Sequence, residues 1–122
     1  MSQTLDQQRA AFAWECASAG MQQHDNAKEY KTLAKGAPAL IMNSGLMPTL
    51  AFYNGKGGTA NLLLEHLLAA LSQRLKPNPQ PRSFDEFMRH LQSRDSQTYL
   101  RYTDEALELL KWIRQFVDAV ES

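Results

Sequence analysis

Cysteine is nearly missing from this chain. Cys16 is the only one, so no internal disulfide can form, and the fold must be held by packing alone. A reducing compartment is the simple expectation. No apolar run approaches the ~18 residues of a membrane span, and the first residues show no basic segment followed by an apolar one. A cytoplasmic location without membrane contact is expected. Net charge is also missing, with 13 basic and 13 acidic side chains, which argues against a globally basic nucleic-acid binder. Nowhere does apolar–polar alternation persist, so no sheet is predicted. The histidines are few (His24, His66 and His90). None lies in HExxH or pairs with Cys16 at zinc spacing. No metal, cofactor or small-molecule ligand is expected, and no catalytic residue.

What is present is ordinary globular composition: 122 residues, 43% apolar and 21% charged. That suits one domain over 1–122, large enough to fold without staples. Thr4 and Gln7 form a capping-box pattern that opens a first helix ending near Gln23. Its apolar and small residues fall at Leu5, Phe12, Cys16 and Ala19, with Ala10, Trp14, Ala17 and Met21 on an adjoining row. Asp25 or Asn26 can cap a second helix. Pro38 should kink or break that helix, and Asn43-Ser44-Gly45 should end it. Pro48 is placed to begin a short helix through Tyr53. Asn54 to Gly58 read as a flexible turn.

Thr59 can cap a strong helix to about Leu75, with Leu63, Leu64, Leu67, Leu68, Leu71 and Leu75 as its stripe. Pro77, Pro79 and Pro81 make an extended linker over about 76–82. Ser83 and Glu86 form a second capping box, before a short helix with Phe84, Phe87, Met88 and Leu91 inward. Asp95 can cap a further turn, and Thr103 can cap the last helix. The fold class is all-α: a compact single-domain bundle of about six helices without a sheet.

Few residues suggest chemistry. Gly55-Lys56-Gly57-Gly58-Thr59 resembles a phosphate loop only superficially, because the GxxxxGK[ST] spacing and the preceding strand are both missing. Lys56 on this tip can still meet a phosphate as a point charge. Asp85 with Glu86 suits a helix N-terminus, and Glu105 with Glu108 reads as a solvated face. Cys16 reads as a small buried residue. The basic positions carry more weight. Lys28, Lys31 and Lys35 stand at i, i+3 and i+7, one stripe on the second helix that can track backbone phosphates without reading sequence. Arg89, Arg94 and Arg101 offer a second patch, although Arg89 and Arg94 need not share a face. Charge is unevenly spread. Residues 74–102 hold six basic and three acidic side chains, and residues 103–122 hold two basic and five acidic ones. Such separation suits local basic faces or head-to-tail contact between copies.

The segment KGAPALIMNSGLMPTLAFY, Lys35 to Tyr53, with EYKTLAK running into it, closely resembles the small helical subunit of the type III-B (Cmr) CRISPR effector complex. TLDQQRAAFAWE near the start and EALELLKWIRQFVDAV near the end are similar to that family's first and last helices. The resemblance implies a non-enzymatic all-α subunit of an RNA-guided, RNA-targeting ribonucleoprotein of antiviral defence. Its copies stack as a minor filament beside the guide–target RNA channel. The implied partners are other Cmr subunits, copies of itself, and CRISPR RNA with target RNA through backbone phosphates. The implied RNA-binding positions are Lys28, Lys31 and Lys35, with Lys56 a weaker case; Arg74 and Lys76 are suggested only by charge and place. Weak RNA affinity of the isolated chain is expected, because stacked copies would share the phosphates. The alternative is a generic helical adaptor that binds a partner helix through an exposed apolar patch around Leu46, Met47 and Leu50.

Overall fold

The computed structural model describes residues 3–22 and 26–120. It contains six helices: α1 (Leu5–Met21), α2 (Ala27–Ser44), α3 (Leu46–Lys56), α4 (Thr59–Leu75), α5 (Phe84–Ser93) and α6 (Ser96–Ala119). The described residues include no strand. The long α6 is the hub and packs most extensively on α1, then on α2 and α4. Helix α3 lies on α4 and α2, while α5 sits at the periphery.

Local chemistry sets most of these boundaries. The Thr4 hydroxyl accepts from the Gln7 N–H, and the Gln7 side chain accepts from the Thr4 N–H, so the capping box is complete. Ser83 accepts from the Glu86 N–H at 3.1 Å. Glu86 reaches instead to the Arg82 N–H, one residue before the cap. Asp95 caps α6 through the Thr98 N–H. Gly45 ends α2 at φ +96°, a region where a side chain is strained. The corner it makes is pinned from α6, because the Tyr99 hydroxyl accepts from the Met47 N–H at 2.9 Å. Asn26 stands at the start of α2 without a side-chain cap, and Asp25 lies outside the described residues.

Several helix boundaries differ from those expected. No break occurs at Pro38, and helix α2 runs through it, because buried Tyr30, Ala34, Ala37 and Ile41 anchor the turns on both sides. Helix α3 begins two residues before Pro48 and continues through Asn54, Gly55 and Lys56. The turn is confined to Gly57 and Gly58, both at positive φ. Thr59 is the first residue of α4 rather than its cap, which is Gly58. The turn after Asp95 and the final helix are one element of 24 residues. Thr103 is no cap within it: its hydroxyl donates to the Tyr99 carbonyl one turn back.

The core draws on every helix. Small residues of α1 (Ala13, Cys16, Ala17 and Gly20) are buried and let its neighbours approach closely. Leu5 and Trp14 remain exposed, with Trp14 edge-on to Phe116 at 5.0 Å. Gly20 lies directly against the ring of buried Tyr30. The Tyr30 hydroxyl and His66 Nδ1 share a hydrogen bond of 2.7 Å. Burial holds the His66 pKa below its ordinary 6.5. The folded chain therefore resists a proton that the unfolded chain accepts near pH 6.5, so stability falls as pH drops below that value. His90, shifted the same way by burial and by Arg94, adds to the slope. Thermal unfolding followed from about pH 7 to about pH 5 should show a falling midpoint, and His66→Asn should flatten the fall. An unchanged slope in that variant would remove His66 from the account.

Candidate nucleic-acid interface

The three lysines of α2 lie along one line of the helix but meet different surroundings. Lys28 is exposed in the first turn. Lys31 Nζ stands 2.8 Å from Asp118 Oδ1, near the end of α6. Lys35 Nζ reaches both oxygens of the same carboxylate, at 3.1 and 2.9 Å. Hydrogen bonds from Lys31 and Lys35 hold the Asp118 carboxyl below the usual carboxylate range. Among the described residues the stripe thus carries three positive charges and one negative, and two of its members also tie α2 to α6.

Lys56 belongs to a different corner. It is exposed at the end of α3, where a cation complements the negative end of the helix dipole. The glycine-rich segment behind it forms no phosphate cradle. The Gly57 N–H is taken by the Tyr53 carbonyl, and Thr59 is buried.

Arg74 turns inward. Its guanidinium donates to Gln8 and approaches Glu105, with Nε 3.9 Å from the carboxylate. Glu105 is not on a solvated face. It is 7% exposed and accepts a two-pronged hydrogen bond from Arg9, with both N···O distances at 2.9 Å. Lys76 is exposed at the left-handed end of α4. Arg89 pairs with Asp85 at 2.9 Å on its own helix. Arg94 and Arg101, by contrast, line one small cleft with His90 between the linker, α5 and α6. Sequence spacing alone grouped these arginines without joining them, because the cleft depends on how α5 turns back onto α6.

The apolar patch expected around Leu46, Met47 and Leu50 does not exist as a surface. Leu46 and Leu50 are wholly buried and Met47 partly so, since the inner face of α3 fills the core over α4. Apolar side chains of α2 and α3 that do reach solvent include Met42 at 76% and Phe52 at 55% exposure.

Burial pushes the Cys16 thiol up to about 12, far from a thiolate nucleophile. No group of three or more His, Cys, Asp or Glu side chains gathers to hold a metal ion among the described residues. No helix is long and apolar enough to cross a membrane.

Comparison with known proteins supplies the identity that site chemistry does not. A crystal structure of a CRISPR-associated Cmr5 family protein from Thermus thermophilus superposes with a TM-score of 0.75 at 26% sequence identity. The match covers 99% of this chain and 100% of that one. The sequence model of the CRISPR-associated protein family Cas_Cmr5 matches residues 5–120, from the first residue of α1 to one residue past the end of α6. An all-α chain with this architecture and a family match across every one of its helices belongs to the Cas_Cmr5 family of CRISPR-associated proteins.

Proposed function

We propose that this chain is a non-catalytic structural subunit of a type III-B (Cmr) RNA-guided, RNA-targeting ribonucleoprotein. In this reading its copies stack as a minor filament beside the guide–target channel. The observation that carries the reading is the family match across residues 5–120. The charge pattern supports it. With 13 basic and 13 acidic side chains, one copy offers only a few phosphate contacts, so useful affinity requires several copies on one strand. Lys28, Lys31, Lys35 and Lys56 are the proposed contacts to backbone phosphates. Asp118 then acts as a built-in counter-ion that orients Lys31 and Lys35 and moderates the charge of the stripe.

The test is recovery of a tagged chain from its native cells. Co-purification of other Cmr subunits with CRISPR RNA is expected; their consistent absence would overturn the assignment. A finer test concerns the stripe. Asp118→Asn adds one unit of net positive charge there, so the assembled complex should bind target RNA more tightly and with a steeper salt dependence. Lys28→Gln should do the opposite. Identical salt dependence in both variants would place the RNA elsewhere on the subunit.

A further inference from the structure

The proline linker, the end of α5 and the first half of α6 enclose a cleft of about 180 Å³. Its walls include Pro77 and Asn78 from the linker, His90 and Arg94 from the end of α5, and Thr98, Arg101 and Tyr102 from α6. Drug-sized ligands occupy pockets of roughly 300–1,000 Å³. This cleft therefore suits one compact group of a ligand whose remainder lies outside.

The charge of that group follows from the lining. Arg94 and Arg101 are exposed, and neither forms an ion pair among the described residues. Arg9, Arg74 and Arg89 each have a carboxylate within 4 Å. Among the described residues, the hydrogen-bond partner of the Arg94 guanidinium is the neutral Ser93 hydroxyl, at 3.1–3.3 Å. Both arginines act on one point. Burial raises the pKa of the Tyr102 hydroxyl, while the charges of Arg94 and Arg101 pull it back down. That hydroxyl is hydrogen-bonded to His90 Nε2 at 2.8 Å, so the pair forms a fixed polar part of the cleft that the two arginines also line. Two carboxylates stand near the cleft without lining it: Asp95 accepts the Thr98 N–H and feels the Arg94 charge, and Glu86 accepts the Arg82 N–H. Proline restricts the backbone of the linker wall. Two guanidiniums and a hydroxyl–imidazole pair lining one cleft suit the oxygens of a tetrahedral oxyanion, for which arginine's planar fork is preferred over lysine.

We infer that this α5–α6 cleft is a phosphate-binding site, in which Arg94 and Arg101 clamp one phosphate group beside the His90–Tyr102 pair. The inference stands apart from membership of a ribonucleoprotein, because it concerns the isolated chain and a phosphate group alone. That group can be a diester within an RNA strand or a free phosphate.

Amide shifts of the isotope-labelled chain, titrated at low salt, test it. The probes are inorganic phosphate and, separately, a short oligouridylate with no terminal phosphate. Shifts centred on Arg94, Thr98, Arg101 and Tyr102 are expected. If the oligouridylate produces them, the ligand is a backbone diester; if only inorganic phosphate does, the site holds with free phosphate as its ligand. Arg94→Gln with Arg101→Gln should weaken the responding probe about tenfold or more. For the oligouridylate it should also reduce the log–log salt slope by about 1.4, two charges at about 0.7 each. Both side chains are exposed, so the double variant should keep its circular dichroism spectrum. Lys28→Gln should leave the cleft shifts unchanged. Shifts from neither probe, or shifts that persist in the double variant, would overturn the site.

Discussion

Gly20→Ala is expected to destabilise this chain by about 3 kcal/mol or more, at or beyond the upper end of ordinary overpacking. On a chain of this size that lowers the thermal midpoint by roughly 10 °C or more. Alanine is normally the better helix former, by about 0.5–1 kcal/mol over glycine in a helix interior. The sign here is reversed by one neighbour. A methyl group on Gly20 would collide with three ring atoms of Tyr30. The ring cannot retreat easily, for it is wholly buried and its hydroxyl is tied to His66 on α4. Relief requires α1 and α2 to separate or the Tyr30–His66 bond to break.

The mechanism has a discriminating test. In a Tyr30→Ala background the clash has no partner, so adding Gly20→Ala should cost little and can even recover some helix propensity. The coupling between the two positions should then approach the whole cost of the single change. A Gly20→Ala protein as stable as the parent would show that the helices accommodate the methyl, and the close α1–α2 approach would lose its claimed importance. Gly36, also inside a helix, serves as the control. It has open space around it, so Gly36→Ala should be neutral or slightly stabilising.

Gly20 also shows what was legible in the sequence. Features settled within a few residues could be read directly. The Thr4–Gln7 box, the Ser83 and Asp95 caps, the stop at Gly45 and the leucine stripe of α4 all depend on neighbours three to five positions away. What could not be read depended on packing between distant segments. Pro38 withdraws one backbone donor, yet the helix holds because Ala34, Ala37 and Ile41 are buried on its inner face. Gly55 weakens α3 locally, but Leu50 and Tyr53 fix the preceding turn in the core and the helix carries on to Lys56. Thr103 reads as a cap in the sequence because a helix interior rarely prefers threonine. Its hydroxyl is instead satisfied by the Tyr99 carbonyl.

The candidate interface divides the same way. The lysine spacing on α2 was visible from sequence. The Asp118 carboxylate, 83 positions from Lys35, was not. Nor was the cleft that joins Arg94 to Arg101, which exists only because α5 and the linker fold back against α6. Net charge over a segment registers such arginines without saying which of them converge.

Glu105→Ala is expected to destabilise by about 3–4 kcal/mol, within the range for removing one partner of a buried ion pair. Glu105 accepts both prongs of Arg9 and lies 3.9 Å from Arg74 Nε, so one carboxylate from α6 serves guanidiniums from α1 and α4. Its hydrogen bond is the main reason that the Arg9 pKa is raised. Removing it leaves two cations facing each other in a largely buried site, with Arg74 Nε already short of a hydrogen-bond partner. Glu105→Gln keeps the volume and part of the hydrogen bonding, so about 2 kcal/mol is expected there.

The cost belongs to the uncompensated charge more than to any net gain from the network. Replacing Glu105, Arg9 and Arg74 together by leucine, methionine and methionine should therefore restore most of the stability. Salt should hardly change the single-variant loss, since buried charges are poorly screened. The exposed Arg89–Asp85 pair makes the contrast, because breaking it should leave the unfolding midpoint where it was. If the triple variant were as unstable as Glu105→Ala, the network would be a net source of stability, and α6 would owe its place on α1 and α4 to charge rather than to apolar packing.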